Sequence, residues 1–312
     1  MSAAFEWTGR DDGPGPEHRR FFHTVTRSGE GSPSGDGPPA DAALIGFASD
    51  EGVRRNGGRV GAADGPTALR AALASLAVHE DLTVVDHGDV RVDDADLEGG
   101  QARLGEAIAA ARRGAPLTVV LGGGHETAYG SHLGLEQGPR LGVLNLDAHF
   151  DLREAERPTS GTPFLQMALD RRERGLDVNY AVLGISRTSN TGRLFARAEE
   201  LGAPWLLDDD CQDRGAPLEF VQRFLDGVDG VHLSIDLDVL PAAAAPGVSA
   251  PAALGVPPFV IQSVCDALVD SGRLLHLDVT ELNPRHDVDQ RTAKLAARLI
   301  HRVITRAARR SS

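Results

Sequence analysis

From Ala42 to the C-terminus, short apolar runs alternate with longer amphipathic stretches. The runs at 43–47, 82–85, 117–121, 141–146, 181–184, 231–235 and 274–279 predict strands. Helical spacing of apolar residues marks 66–76, 101–113, 191–201, 218–225, 258–270 and 291–308. Strands that are apolar at consecutive positions are buried on both faces, and their alternation with helices makes the sheet mostly parallel. The expected fold is α/β: one domain with three α/β/α layers around a mostly parallel, doubly wound sheet. Ahead of it, residues 1–40 are rich in Gly, Pro, Asp and Ser, with Phe21 and Phe22 as the main apolar anchors. That composition predicts an irregular N-terminal arm before a main domain at 41–312.

In such sheets ligands bind beyond the carboxyl ends of the strands. Polar residues fall at that position four times: His125 after the run ending at Leu121, Asp147 after Leu146, Asp236 after Ile235 and Glu281 shortly after Val279. The local motifs are Gly122-Gly123-Gly124-His125-Glu126, Asp147-Ala148-His149-Phe150-Asp151 and Ser234-Ile235-Asp236-Leu237-Asp238. Alternate residues beyond a strand end can converge on one point. His125, Asp147, His149, Asp151, Asp236 and Asp238 therefore form a candidate ligand set of two imidazoles and four carboxylates. One metal ion rarely takes that many protein groups and still leaves room for substrate, whereas two ions sharing carboxylates do. The oxygen-rich donors favour Mn²⁺ over Zn²⁺.

Each motif has a plainer explanation. The three glycines could cradle a phosphate, but no Lys-Ser/Thr follows and the G-x-G-x-x-G register is absent. They are expected to make a tight turn that swings His125 inward, with Glu126 pointing elsewhere and not counted as a ligand. A lone D-x-D is often a turn or a salt-bridge pair. Three ionisable groups gathered at one strand end are harder to explain by packing, because they lose solvation without a partner. His232 and His276, inside apolar runs, read as satisfied core histidines.

Composition narrows the function classes. A net charge of −13 disfavours sequence-independent nucleic-acid binding, which needs Lys and Arg against phosphates. The cluster Arg302, Arg306, Arg309 and Arg310 reads as a helix end facing solvent. Two cysteines, Cys211 and Cys265, without C-x-x-C spacing point to a reducing compartment. No run approaches the ~20 apolar residues that span a bilayer, and no leader pattern precedes the arm. A cytoplasmic protein acting on a small molecule is expected, with neither nucleic acid nor membrane as partner.

In this order the motifs resemble the ureohydrolase superfamily of arginases, agmatinases and related binuclear manganese hydrolases, over roughly 42–299. The resemblance implies an arginase-like fold and two Mn²⁺ per subunit. One ion would be held by His125, Asp147, Asp151 and Asp236, the other by Asp147, His149, Asp236 and Asp238, so that Asp147 and Asp236 bridge. It also implies that Glu281, in Val279-Thr280-Glu281-Leu282-Asn283-Pro284, meets the cationic end of the substrate, and that the protein is a homo-oligomer. Departures narrow the choice: Ser160 stands where arginases and agmatinases carry a histidine, Gly124 where they carry an aspartate, and Leu240 precedes Pro241. With the segments 50–56, 157–164 and 189–191, these resemble the branch that hydrolyses N-formimidoyl-L-glutamate to L-glutamate and formamide in histidine degradation. Such a substrate sets an amidinium close to carboxylates that need cationic partners, and Arg153, Arg157 and Arg187 are the candidates. Asp151 is the candidate for proton transfer to the leaving amine. The alternatives are an agmatinase or guanidino-acid hydrolase releasing urea, a binuclear phosphoesterase, whose motif order is reversed, and a metal-dependent binding protein without activity.

Overall fold

Every strand pairing named among the described residues is parallel. The structure, a computed structural model, describes residues 5–29, 40–135, 138 and 140–311. Its strands are β1 Val25–Arg27, β2 Ala42–Ala48, β3 Val84–Arg91, β4 Leu117–Leu121, β5 Leu141–Leu146, β6 Tyr180–Ile185, β7 Trp205–Leu207, β8 Gly230–Asp236 and β9 Leu274–Thr280. They form one sheet in the order β1-β3-β2-β4-β9-β8-β5-β6-β7. The helices are α1 Glu51–Arg55, α2 Gly65–Ala74, α3 Leu97–Ala111, α4 Thr127–Gly134, α5 Pro163–Glu173, α6 Gly192–Leu201, α7 Gly215–Asp226, α8 Pro258–Asp270 and α9 Arg291–Ser311.

Side chains alternate across a strand, and the two sets enter different layers. Leu117, Val119 and Leu121 of β4, with Val231, Leu233 and Ile235 of β8, pack with residues of α2, α7, α8 and α9. Val120 joins α3, while Val143 and Val182 join α5 and α6 on the opposite face. The expected three layers and doubly wound sheet are present. On that face α3 and α4 run very close: a Cβ on Gly105 would lie 2.9 Å from Leu133 Cβ, and one on Gly134 would lie 2.6 Å from Gly105 O.

The differences from expectation have local causes. β3 lies at 84–91 rather than 82–85, because its burial alternates beyond Asp86 and leaves no apolar run to mark it. β1 and β7 have three residues each, and α1 has five, too few to show a period. Within the N-terminal segment, Phe21 is fully buried in the core and β1 extends the sheet edge through β3. Trp7 Nε1 donates to Asp86 Oδ2 at 2.8 Å, fastening the arm to β3. At the other end the basic cluster is paired rather than simply solvated, with Arg302 on Asp266 at 2.6 Å and Arg306 on Asp270 at 2.5 Å. Among the described residues, no helix is long and apolar enough to cross a membrane.

Candidate metal centre and active site

The adjacent central strands β4, β9, β8 and β5 deliver all four expected elements to one edge of the sheet. His125 follows β4 through Gly122-Gly123-Gly124. A Cβ on Gly123 would sit 1.8 Å from Ser49 O, so the loop needs glycine for close approach to the segment after β2. The expected tight turn is present, Gly124 O accepting the Thr127 N–H at 3.1 Å, and it is made without positive φ at any of the three glycines. Gly123 O also accepts the Glu281 N–H at 2.7 Å, locking the ends of β4 and β9 together.

His125 Nδ1 lies 3.1 Å from Asp147 Oδ2, 3.0 Å from Asp151 Oδ2 and 3.2 Å from Asp236 Oδ2. Yet it is buried without a hydrogen-bond partner. One bare nitrogen facing three carboxylate oxygens in this way is an arrangement suited to a cation placed among them. His149 Nδ1 lies 3.0 Å from Asp238 Oδ2 and 3.5 Å from Asp147 Oδ1. Two donor groups result, His125-Asp147-Asp151-Asp236 and Asp147-His149-Asp238, with Asp147 in both. All six candidate ligands thus meet in one place.

The local backbone aims these groups. His149 N–H donates to Asp147 Oδ1 at 2.7 Å, and Asp238 N–H donates to Asp236 Oδ1 at 2.8 Å, so each motif fixes its own first carboxylate. Asn145 Nδ2 donates to Asp147 Oδ2 at 2.9 Å. Asp151 and Glu281 have φ of 48° and 67°, a left-handed conformation that non-glycine residues seldom adopt and that clusters at functional sites.

The electrostatics agree. Among the described residues, the ion-pair partners of Asp147, Asp151, Asp236 and Asp238 are His125 and His149 alone. Burial and then the Asp147 charge push the Asp151 carboxyl up to about 6; burial, Asp238 and Asp147 push Asp236 well above the carboxylate range. Burial would lower the His149 imidazole, but the Asp238 and Asp147 carboxylates outweigh it and lift it to about 12. Four buried carboxylates facing two imidazoles fit a pair of divalent cations, which would supply the missing positive charge.

Glu281 stands beside this cluster. Its Oε1 accepts the His125 N–H at 2.8 Å, while Oε2 is buried and unpartnered. Burial, and then the nearby Glu126 carboxylate, push its carboxyl up to about 8. Glu126, outside both donor groups, instead ties down the segment after β2: its Oε1 accepts Ser49 Oγ–H at 2.8 Å and Gly52 N–H at 3.0 Å.

The arginines are less concentrated. Arg153 and Arg157 line a cavity of about 170 Å³. Arg157 is exposed and pairs with Glu98 at 3.3 Å, and Arg187 is exposed with its guanidinium 5.7 Å from the Phe195 ring centre. Asn190 emerges as a structural residue of the site: its Oδ1 accepts Phe150 N–H at 3.1 Å and its Nδ2 donates to Ala148 O and Ser186 O, both at 2.9 Å. Its only sequence signal was the segment 189–191 shared with the resembling branch.

Fold and site together define a hydrolase of the arginase type. The chain belongs to the arginase family, whose model matches residues 40–305. It is 53% identical over 308 residues to the formimidoylglutamase of Rhodococcus jostii (strain RHA1), covering 96% of this chain and 95% of that protein. The crystal structure of Trypanosoma cruzi formiminoglutamase with Mn²⁺ superposes with a TM-score of 0.78 at 26% identity, covering 86% of this chain and 94% of that one. Formimidoylglutamase from Bacillus subtilis subsp. subtilis str. 168 shares the fold, with a TM-score of 0.81 at 21% identity over 97% of this chain and 96% of that one.

Proposed function

We propose that this enzyme hydrolyses N-formimidoyl-L-glutamate to L-glutamate and formamide, as a step of histidine degradation, with two Mn²⁺ per subunit. The observation that carries the reading is the pair of donor groups sharing Asp147, set directly beside the unpartnered Oε2 of Glu281. His125, Asp147, Asp151 and Asp236 would hold one ion, and Asp147, His149 and Asp238, with Asp236 as a second bridge, the other. Bound there, such ions supply Lewis acidity and lower the pKa of water to near neutral.

The chain's own residues do the rest. Glu281 is held by the His125 N–H and offers its free oxygen to the amidinium, whose positive charge offsets the burial that otherwise keeps the carboxyl protonated. That pairing fixes the amidine carbon for attack by water. As the new C–O bond forms and the bond to the α-nitrogen breaks, Asp151 passes a proton to the departing amine. Arg153, Arg157 and Arg187 are the candidates for the substrate carboxylates; binding at Arg157 would displace Glu98 from it. We place the enzyme in the cytoplasm as a homo-oligomer, a location supported by the two free, buried cysteines Cys211 and Cys265.

The test is product formation by Mn²⁺-loaded protein offered N-formimidoyl-L-glutamate, with agmatine, arginine and guanidino acids in parallel. Glutamate and formamide from the first substrate alone is the expected result. Urea from a guanidino compound would keep the metal centre and overturn the substrate.

A further inference from the structure

A buried polar column runs through the sheet behind His125. On β8, His232, Ser234 and Asp236 are spaced two apart and share a face; on β9 so do His276 and Asp278. Ser234 is in register with Asp278, and His232 with His276. His232, Ser234, His276 and Asp278 are all 0% exposed. A carboxylate at that depth costs stability unless its hydrogen bonds are made, and here they are. Ser234 Oγ donates to Asp278 Oδ1 at 2.5 Å, and His232 Nε2 lies 2.5 Å from Asp278 Oδ2. Ser234 Oγ is also 2.9 Å from His125 Nε2.

A serine hydroxyl has one hydrogen. Given to Asp278, it leaves only lone pairs towards His125, so His125 Nε2 must be the N–H donor of that contact. The lone pair of the neutral ring then sits on Nδ1, the atom that faces Asp147, Asp151 and Asp236. The partner of a ligand histidine's other nitrogen sets which nitrogen can bind a metal and how the ring is turned.

We propose that Asp278, acting through Ser234, is a positioning residue that holds His125 with Nε2 protonated and Nδ1 free for a divalent cation. This rests on His125 being a ligand, as inferred above. Asp278 has no contact with His125 of its own, so its effect passes through the Ser234 hydroxyl.

The experiment is titration of the full chain with Mn²⁺, free ion being read by electron paramagnetic resonance, for wild type, Ser234→Ala, Ser234→Thr, Asp278→Asn and the Ser234→Ala/Asp278→Asn double variant. Wild type is expected to bind two ions. Ser234→Ala should weaken one of the two sites by about 10- to 100-fold and leave the other unchanged. Ser234→Thr, which keeps the hydroxyl, should restore the weakened site. The double variant should bind no more weakly than Ser234→Ala, since Asp278 has no other route to His125. Equal weakening of both sites, unchanged binding in Ser234→Ala, or additive losses in the double variant would each overturn the proposal. If Asp278→Asn does not fold, the site selectivity of Ser234→Ala decides alone. Wild type binding fewer than two ions would overturn the metal-centre reading itself, whereas two ions with Ser234→Ala unaffected would overturn only the role of Asp278.

Discussion

The proposed reaction gives three side chains distinct jobs that substitution can separate. Asp238 meets His149 at 3.0 Å, and its loss strips one donor group of a carboxylate. Asp238→Ala should bind one Mn²⁺ fewer by metal analysis and lose more than about 100-fold in kcat/KM, since removing a ligand exceeds the loss from removing a ligand's partner. Glu281 lies outside both donor groups, so Glu281→Gln should keep two ions. Its kcat/KM should fall by about 30- to 1000-fold, the roughly 2–4 kcal/mol of a buried charge pair broken on one side. Loss of metal in that variant would show that Glu281 is a ligand instead. Arg157 is exposed and already engaged by Glu98, so the share proposed for it is smaller. Arg157→Ala should raise KM about tenfold with kcat little changed, the scale of one charge-assisted hydrogen bond; an unchanged KM would remove Arg157 from the substrate site.

At the scale of elements, the site is built from loops that hold one another. Asn190, just before α6, hooks the segment after β5 through Ala148 and Phe150. Asn190→Ala leaves the buried Phe150 N–H without its partner, while Ala148 O keeps the Ser186 N–H at 3.0 Å, and should cost about 1–3 kcal/mol in urea unfolding. Weakened Mn²⁺ binding should accompany it, because His149 lies between the two anchored residues; normal binding would show that the loop keeps its shape unaided. The same scale explains what periodicity left unseen. α4 carries two glycines and is packed tightly against α3, so neither propensity nor an amphipathic stripe marks it. α5 starts from Pro163 after a Thr-Ser-Gly-Thr stretch that reads as loop, and all its polar residues but Gln166 fall in the last turn, Asp170 to Glu173, rather than along one side. By contrast, β4, β5 and β8 are buried along their whole length, and their continuous apolar runs were plain in the sequence.

Across the whole molecule, the N-terminal arm, α2 and β3 are joined at one buried ion pair. Arg70 binds Asp86 at 2.8 Å and Asp89 at 2.6 Å, and Trp7 caps Asp86 from the arm. Burial would raise the Asp86 carboxyl, but Arg70 outweighs it and holds the group below the usual carboxylate range. A carboxyl lowered on folding adds stability that is fully present above its unfolded pKa of about 3.9 and is lost as pH falls through the lower folded value. Asp86→Ala, which leaves Arg70 buried without its main partner, should therefore cost about 3–5 kcal/mol at neutral pH. The gap from wild type should narrow below about pH 4, measured by urea unfolding across pH. A gap independent of pH would mean that packing rather than charge is what the pair contributes.

The class of fold, the strands that end at the site and the six candidate ligands were legible in the chain alone. Each depends on near neighbours: apolar runs, spacing by two, and position beyond a strand end. Which groups share a partner came from the family resemblance and not from local spacing, because it depends on strand order. β4 and β5 are consecutive in sequence but separated by β9 and β8 in the sheet, and only this insertion brings His125 against Asp147, Asp151 and Asp236. The register of β8 on β9 likewise gave His232, a core histidine as expected, its partner Asp278, and made Asp278 the buried support of Ser234. Contacts between strands distant in sequence leave no local pattern, so no reading of one segment at a time could have found them.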